Sequence, residues 1–205
     1  MNSLGGYISS AFKIAMAIRK SFTDITVFVP HIAASGGTML ALTGDRIRMG
    51  MMSQLSPVDV QVMYKGQRVS VNSFLAAETI IHKRIVMRSD NELSYLEKQL
   101  AESFDPVIQV EAGKTIEMGK VYLKRILTMV GYDKKQLDSM MLYLISGLPT
   151  HGFVIQSDLA KQIGIKVESS EENPNEWDMM RNWFLKYMDK AKVRHFVKYV
   201  VPMKK

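Results

Sequence analysis

The strongest constraint on the fold is one short stretch near the start of the chain. Residues 25–30 (ITVFVP) form a nearly all-apolar, β-branched run that ends at Pro30. Small residues follow at once: Ala33, Ala34, Ser35, Gly36 and Gly37. A run apolar on both faces suits a strand buried in a parallel sheet. The apolar residues 38–43 then read as a helix, broken by Gly44-Asp45, and residues 46–49 read as a second strand. Ahead of the first strand, Ile8, Ala11, Phe12, Ala15, Ile18 and Phe22 recur at helical spacing. Helix, strand, helix, strand with short links predicts a parallel α/β arrangement with right-handed crossovers.

The rest of the chain is mostly helical in pattern. Residues 61–71 alternate around Lys65-Gly66 and predict a surface hairpin. Helices are expected over 74–88, 91–104, 106–130 and 133–145, with Gly131 stopping the third. A short helix ending at Gly164 and a strand over 165–167 close a domain spanning 1–167. Residues 168–176 (ESSEENPNE) read as a polar linker, and 177–205 as a basic amphipathic helix.

Composition narrows the chemistry. A chain of 205 residues with 47% hydrophobic and 23% charged residues is that of a globular domain. There is no cysteine, which excludes a disulfide scaffold and a thiolate nucleophile. No group of His, Asp and Glu has metal-ligand spacing, so neither metal nor cofactor is expected. The net charge of +7 is spread along the chain. Nucleic-acid binding needs it gathered on one face, and is not expected. No run reaches the length of a membrane span. The expected location is cytoplasmic, with the aromatic and basic residues of 187–205 offering peripheral contact to an anionic membrane surface.

Ser35 is the leading candidate for chemistry. A serine at the start of a helix, directly after a buried strand, lies beside main-chain N–H groups with no intrahelical partner. The small residues around it let a substrate carbonyl approach. The Gly36 N–H is the natural first oxyanion donor, and the Gly6 N–H of the Gly5-Gly6 turn is the expected second. Serving merely as a helix cap is the plain alternative for Ser35. The G-x-S-x-G elbow of α/β-hydrolases is absent, since position 33 is Ala.

The order Gly5-Gly6, a helix, a buried strand, then P-H-I-A-A-S-G-G-T-M-L-A-L and G-D-R-I resembles the Clp-fold peptidases. The chain most resembles the serine dehydrogenase proteinase family, relatives of signal peptide peptidase A. Leu55-Ser56-Pro57-Val58-Asp59 is similar to that family's L-G-P-V-D loop. Gly147-Leu148-Pro149-Thr150-His151, followed by Ile155, Asp158, Ala160 and Gly164, is similar to its G-x-x-T-H block and closing helix. The resemblance implies a ββα superhelix of the Clp/crotonase type that associates through late helices into a homo-oligomer. It also implies an ATP-independent serine endopeptidase acting on peptides or unfolded protein segments. The family's Gly-Gly turn follows a β-strand, whereas only Asn2-Ser3-Leu4 precede it after Met1 here. The N-terminal strand or strands are therefore read as lacking, either because the chain is a fragment or because another subunit covers that edge.

A serine hydroxyl needs a base. His31 is expected beneath the turn, His82 on a surface helix, His151 holding a turn through hydrogen bonds, and His195 on the basic tail. The resemblance implies a Ser-Lys dyad, with Lys114 the first candidate and Lys124 the second. A lysine base must lose its charge near neutral pH, which calls for burial in apolar surroundings. The rival reading, from another class, is a catalytically silent Clp-fold scaffold that binds a partner. A crotonase-like acyl-CoA enzyme would use the same two N–H donors without a serine.

Overall fold

The computed structural model describes residues 1–86, 94–103 and 105–191. Its described elements alternate at the start as the apolar pattern requires. Helix α1 (Ile8–Ser21) precedes β1 (Thr26–Val29), β2 (Ile32–Ala33), α2 (Gly36–Ala41), β3 (Arg46–Met49) and β4 (Gln54–Leu55). The hairpin β5 (Gln61–Tyr64) and β6 (Gln67–Ser70) follows. Then come α3 (Val71–Val86), α4 (Tyr95–Glu102), α5 (Pro106–Val130) and α6 (Lys134–Leu142). A π-helical turn at Tyr143–Gly147, α7 (Ser157–Ile163), β7 (Val167–Ser169) and α8 (Pro174–Ala191) complete them. The fold is mixed α/β, as expected. The parts of the expected helices over 87–93, at Phe104 and beyond residue 191 lie outside the described residues, and so does His195.

The main sheet is parallel in the order β1-β3-β7, with Val27 opposite Ile47 and Ile47 opposite Val167. A second parallel pair joins Ile32–Ala33 to Gln54–Leu55. The sequence pattern missed this pair because two residues carry no periodicity. Val29, Ala33, Ile47, Met49 and Leu55 are buried on these strands, beneath Leu123, Ile126 and Leu127 of α5. Removing that much apolar surface from water is the main driving force of the fold. Phe12 of α1 stacks on Tyr122 of α5 with ring centroids 4.2 Å apart, which fixes α1 against the core.

Both long-helix boundaries follow the expected chemistry. Asp105 caps α5 by accepting from the Val107 N–H at 2.8 Å, and Gly131 ends it at φ 80°. Asp133 and Gln136 form a reciprocal capping box on α6.

Ahead of the Gly5-Gly6 turn the structure has an isolated bridge rather than a strand, and the expected linker is corrected. Ser3 bridges Ala33 in parallel, its N–H donating to Ile32 O at 2.8 Å and its carbonyl accepting from the Ala34 N–H at 2.9 Å. Residues 168–176 are not a free linker. Glu168 and Ser169 belong to β7, because Glu168 faces Arg48 across the sheet and accepts from its Nε at 2.8 Å. Helix α8 begins at Pro174, a residue suited to the first helical position, so three residues of the supposed linker are helical. Glu176 also pairs with Arg48, and the Trp177 ring lies flush on Gly50. Glu168 and Glu176 of this stretch thus serve a nearly buried arginine. Among the described residues, no helix is long and apolar enough to cross a membrane.

Candidate active site

Ser35 sits where β2 turns into α2. It carries φ 50° and ψ −113°, a conformation outside the regions that L-residues normally occupy. Strain of this kind costs roughly 1–3 kcal/mol and persists only when the surroundings enforce it. Here they do. The Ser35 N–H donates to Ser56 Oγ at 2.8 Å, and the Ser35 carbonyl accepts from the Met39 N–H at 3.0 Å. The Gly37 N–H donates to Ala34 O at 2.7 Å. Thr38, fully buried, fastens the same turn to the 54–59 loop. Its Oγ1 lies 2.6 Å from Ala33 O and 2.8 Å from Ser56 O, and accepts from the Ser56 N–H at 3.1 Å. One hydroxyl proton serves the two carbonyls in turn, and the lone pairs take the amide.

The two glycine turns meet as expected. A Cβ on Gly36 would lie 3.4 Å from Gly6 N and 3.2 Å from Gly6 O, so the two main chains touch. A Cβ on Gly5, at φ 99°, would lie 2.7 Å from Ala34 O, so only glycine fits there. Gly36 opens α2, which leaves its N–H without a partner inside the helix. Ser35 and Gly6 both line an open cleft of about 260 Å³.

The far motifs come to the same place through the backbone. Leu55 and Ile155 exchange hydrogen bonds, N–H to O at 2.9 and 3.0 Å, which lays the segment after His151 beside the 54–59 loop. Asp59, only 7% exposed, lines the Ser35 cleft. Its Oδ1 accepts from Asn72 Nδ2 at 3.1 Å, and Asn72 is itself anchored on Ile145 O at 2.6 Å. Its Oδ2 faces His151 Nδ1 at 3.6 Å, and that nitrogen is buried with no hydrogen-bond partner. The carboxylate is thus held on one side and faces the imidazole on the other.

Ser35, Gly36 and Gly6 are therefore brought together, while the expected lysines are not. Lys114 is largely exposed on α5 and pairs with Glu111 at 3.3 Å. Thr115 and Met118 are the residues of that helix that line the cleft. Lys124 is also exposed. Neither sits in the apolar setting that a lysine base requires, because the apolar stripe of α5 runs through Ala112, Gly119, Leu123, Ile126 and Leu127. His31 and His82 are exposed as well. The sequence reading passed over the Asp59–His151 pair. Its signal was present: the acid and the imidazole are each a position of a recognised motif, in the order Ser, Asp, His.

A strained serine on a turn packed against a second glycine turn, on a parallel α/β frame, fits the site class of the ClpP-like serine peptidases. The chain belongs to the family of ClpP-like SDH-type serine proteinases, whose model matches residues 1–205. It is 28% identical over 166 residues to the uncharacterized protein MJ0137 of Methanocaldococcus jannaschii, an alignment covering 81% of this chain and 51% of that protein. To MJ1495 of the same organism it is 27% identical over 167 residues, covering 81% and 50%. The chain thus spans about half the length of these curated relatives. No solved structure matches.

Proposed function

We propose that the chain is a serine peptidase that hydrolyses peptides or unfolded protein segments, with Ser35 as nucleophile and His151, oriented by Asp59, as its base. The observation that carries this reading is that Asp59, the partner of His151, lines the same cleft as the strained Ser35. In the first step Ser35 Oγ attacks the scissile carbonyl and gives its proton to His151. The His151 Nδ1 faces Asp59, which leaves Nε2 as the nitrogen that takes it. The tetrahedral oxyanion is received by the Gly36 and Gly6 N–H groups. His151 then returns the proton to the leaving amine, and water hydrolyses the acyl-serine by the same route in reverse. The 3.6 Å separation of Asp59 and His151 is longer than a hydrogen bond, as is common for catalytic contacts before substrate arrives.

The hairpin supports an extended substrate. The Val71 N–H donates to Val60 O, and Val62 lies opposite Val69 in the same phase. By the alternation of an antiparallel pair, the main-chain groups of Gln61 and Met63 therefore turn away from β6. Both residues line the cleft, so a substrate backbone can pair with them as an added strand.

The test is hydrolysis of an unfolded, fluorescently labelled protein. Ser35→Ala and His151→Ala should each lower the rate by about 10⁴-fold or more, as removing a triad member does. A Lys114→Ala, Lys124→Ala double variant should keep the parent rate. Loss of activity in the lysine variant with His151→Ala active would replace this base with a lysine.

A further inference from the structure

Reading the Ser35 cleft as a peptidase site, we propose that Arg68 is a specificity-determining residue that binds a carboxylate of the substrate. Arg68 lies on β6 directly opposite Met63, and both residues line the cleft. Its guanidinium carbon stands 5.7 Å from the centroid of the Tyr7 ring, which projects from the turn carrying Gly6. Among the described residues, Arg68 has no acidic partner and its guanidinium donates to no acceptor. Contact with an aromatic face steadies the group without using its N–H donors, which remain available for bidentate recognition of a carboxylate.

Charge fixes the direction. Among the described residues lining the cleft, Asp59 and Arg68 are the two with formal charge. Asp59 lies at the catalytic end, committed to Asn72 and His151. An anionic group is repelled there and drawn to the hairpin end. Ile8, Val60 and Met118 give the same cleft an apolar wall, fit for an apolar side chain beside the scissile bond. The preferred substrate thus pairs an apolar side chain with a carboxylate further along. That carboxylate comes from an Asp or Glu side chain or from a free C-terminus.

The experiment measures binding in the Ser35→Ala variant, which does not turn substrate over. Four fluorescent peptides share one apolar core. They differ by Glu or Gln near the core and by a free or amidated C-terminus. The expected result is about tenfold or tighter binding for one carboxylate-bearing member over its neutral counterpart, as for a charge-assisted hydrogen bond. The Glu/Gln comparison and the acid/amide comparison identify the source. Adding Arg68→Gln should bring that ratio near one, and Arg68→Lys should restore part of it. Equal binding of all four peptides, or a ratio that survives Arg68→Gln, would overturn the assignment. Fluorophosphonate labelling of the parent chain at Ser35 is read separately. Labelling without discrimination removes only the role of Arg68. Discrimination without labelling keeps Arg68 as a ligand-binding residue and removes the peptidase reading.

Discussion

Among the described residues two non-glycine positions have a positive φ, Ser35 at 50° and Lys65 at 48°, and they do so for opposite reasons. Lys65 is exposed at the tip of the β5–β6 hairpin, followed by Gly66 at φ 79°. Two residues of positive φ give the turn whose twist matches that of a hairpin, and the strain there is a local cost of reversing the chain. Ser35 reverses nothing. It is half-buried, surrounded by small residues and held at both ends of its own main chain, its N–H donating to Ser56 Oγ and its carbonyl accepting from the Met39 N–H. Its ψ of −113° lies outside even the left-handed helical region that turns use. One distortion is explained by topology. The other needs a function, and exposing a hydroxyl between two amide turns provides one.

Substitutions break the comparison in order of size. The largest effect is on the grip. Ser56→Ala leaves the Ser35 N–H without its acceptor, which should cost about 1–3 kcal/mol of stability. It should also lower the hydrolysis rate about tenfold as the turn loosens; thermal melts and initial rates check both. An unchanged rate would mean that the grip is structural only. Next is the strain itself. Ser35→Gly should be more stable than Ser35→Ala by about 1 kcal/mol, since glycine accepts this backbone and offsets its own larger chain entropy. That is a melting-temperature difference of roughly 2–4 °C. Equal melting points would show that the turn is unstrained. The smallest effect is at the hairpin. Lys65→Asn should gain less than about 1 kcal/mol, because Asn tolerates the left-handed region. The loss of the Lys65–Tyr64 ring contact at 5.2 Å works against part of that gain. Hydrolysis should stay within about twofold of the parent, a range expected for a surface change away from the site.

What the sequence made legible follows from where the information is local. The strands at 26–29 and 46–49, the hairpin and the Asp105-to-Gly131 helix each have their pattern and their caps within a few residues. The strained turn at Ser35 and its Gly5-Gly6 neighbour were readable for the same reason. The proposed base was not. His151 meets Asp59 through the Leu55–Ile155 pairing, roughly a hundred residues apart in sequence, and no periodicity reports such a pairing. Lys114 looked suitable by its neighbours in sequence, but the helix turns it outward toward Glu111. The role of Glu168 and Glu176 was hidden likewise, since it comes from Arg48 in the sheet.

The account stands or falls on whether the Ser35 hydroxyl is activated. Incubation of the folded parent chain with a fluorophosphonate probe, followed by peptide mass mapping, reads this directly. The predicted result is a single adduct on Ser35, lost in His151→Ala and kept when Lys114 and Lys124 are both alanine. No adduct on Ser35 in the folded chain, or one that persists at full rate without His151, would contradict it.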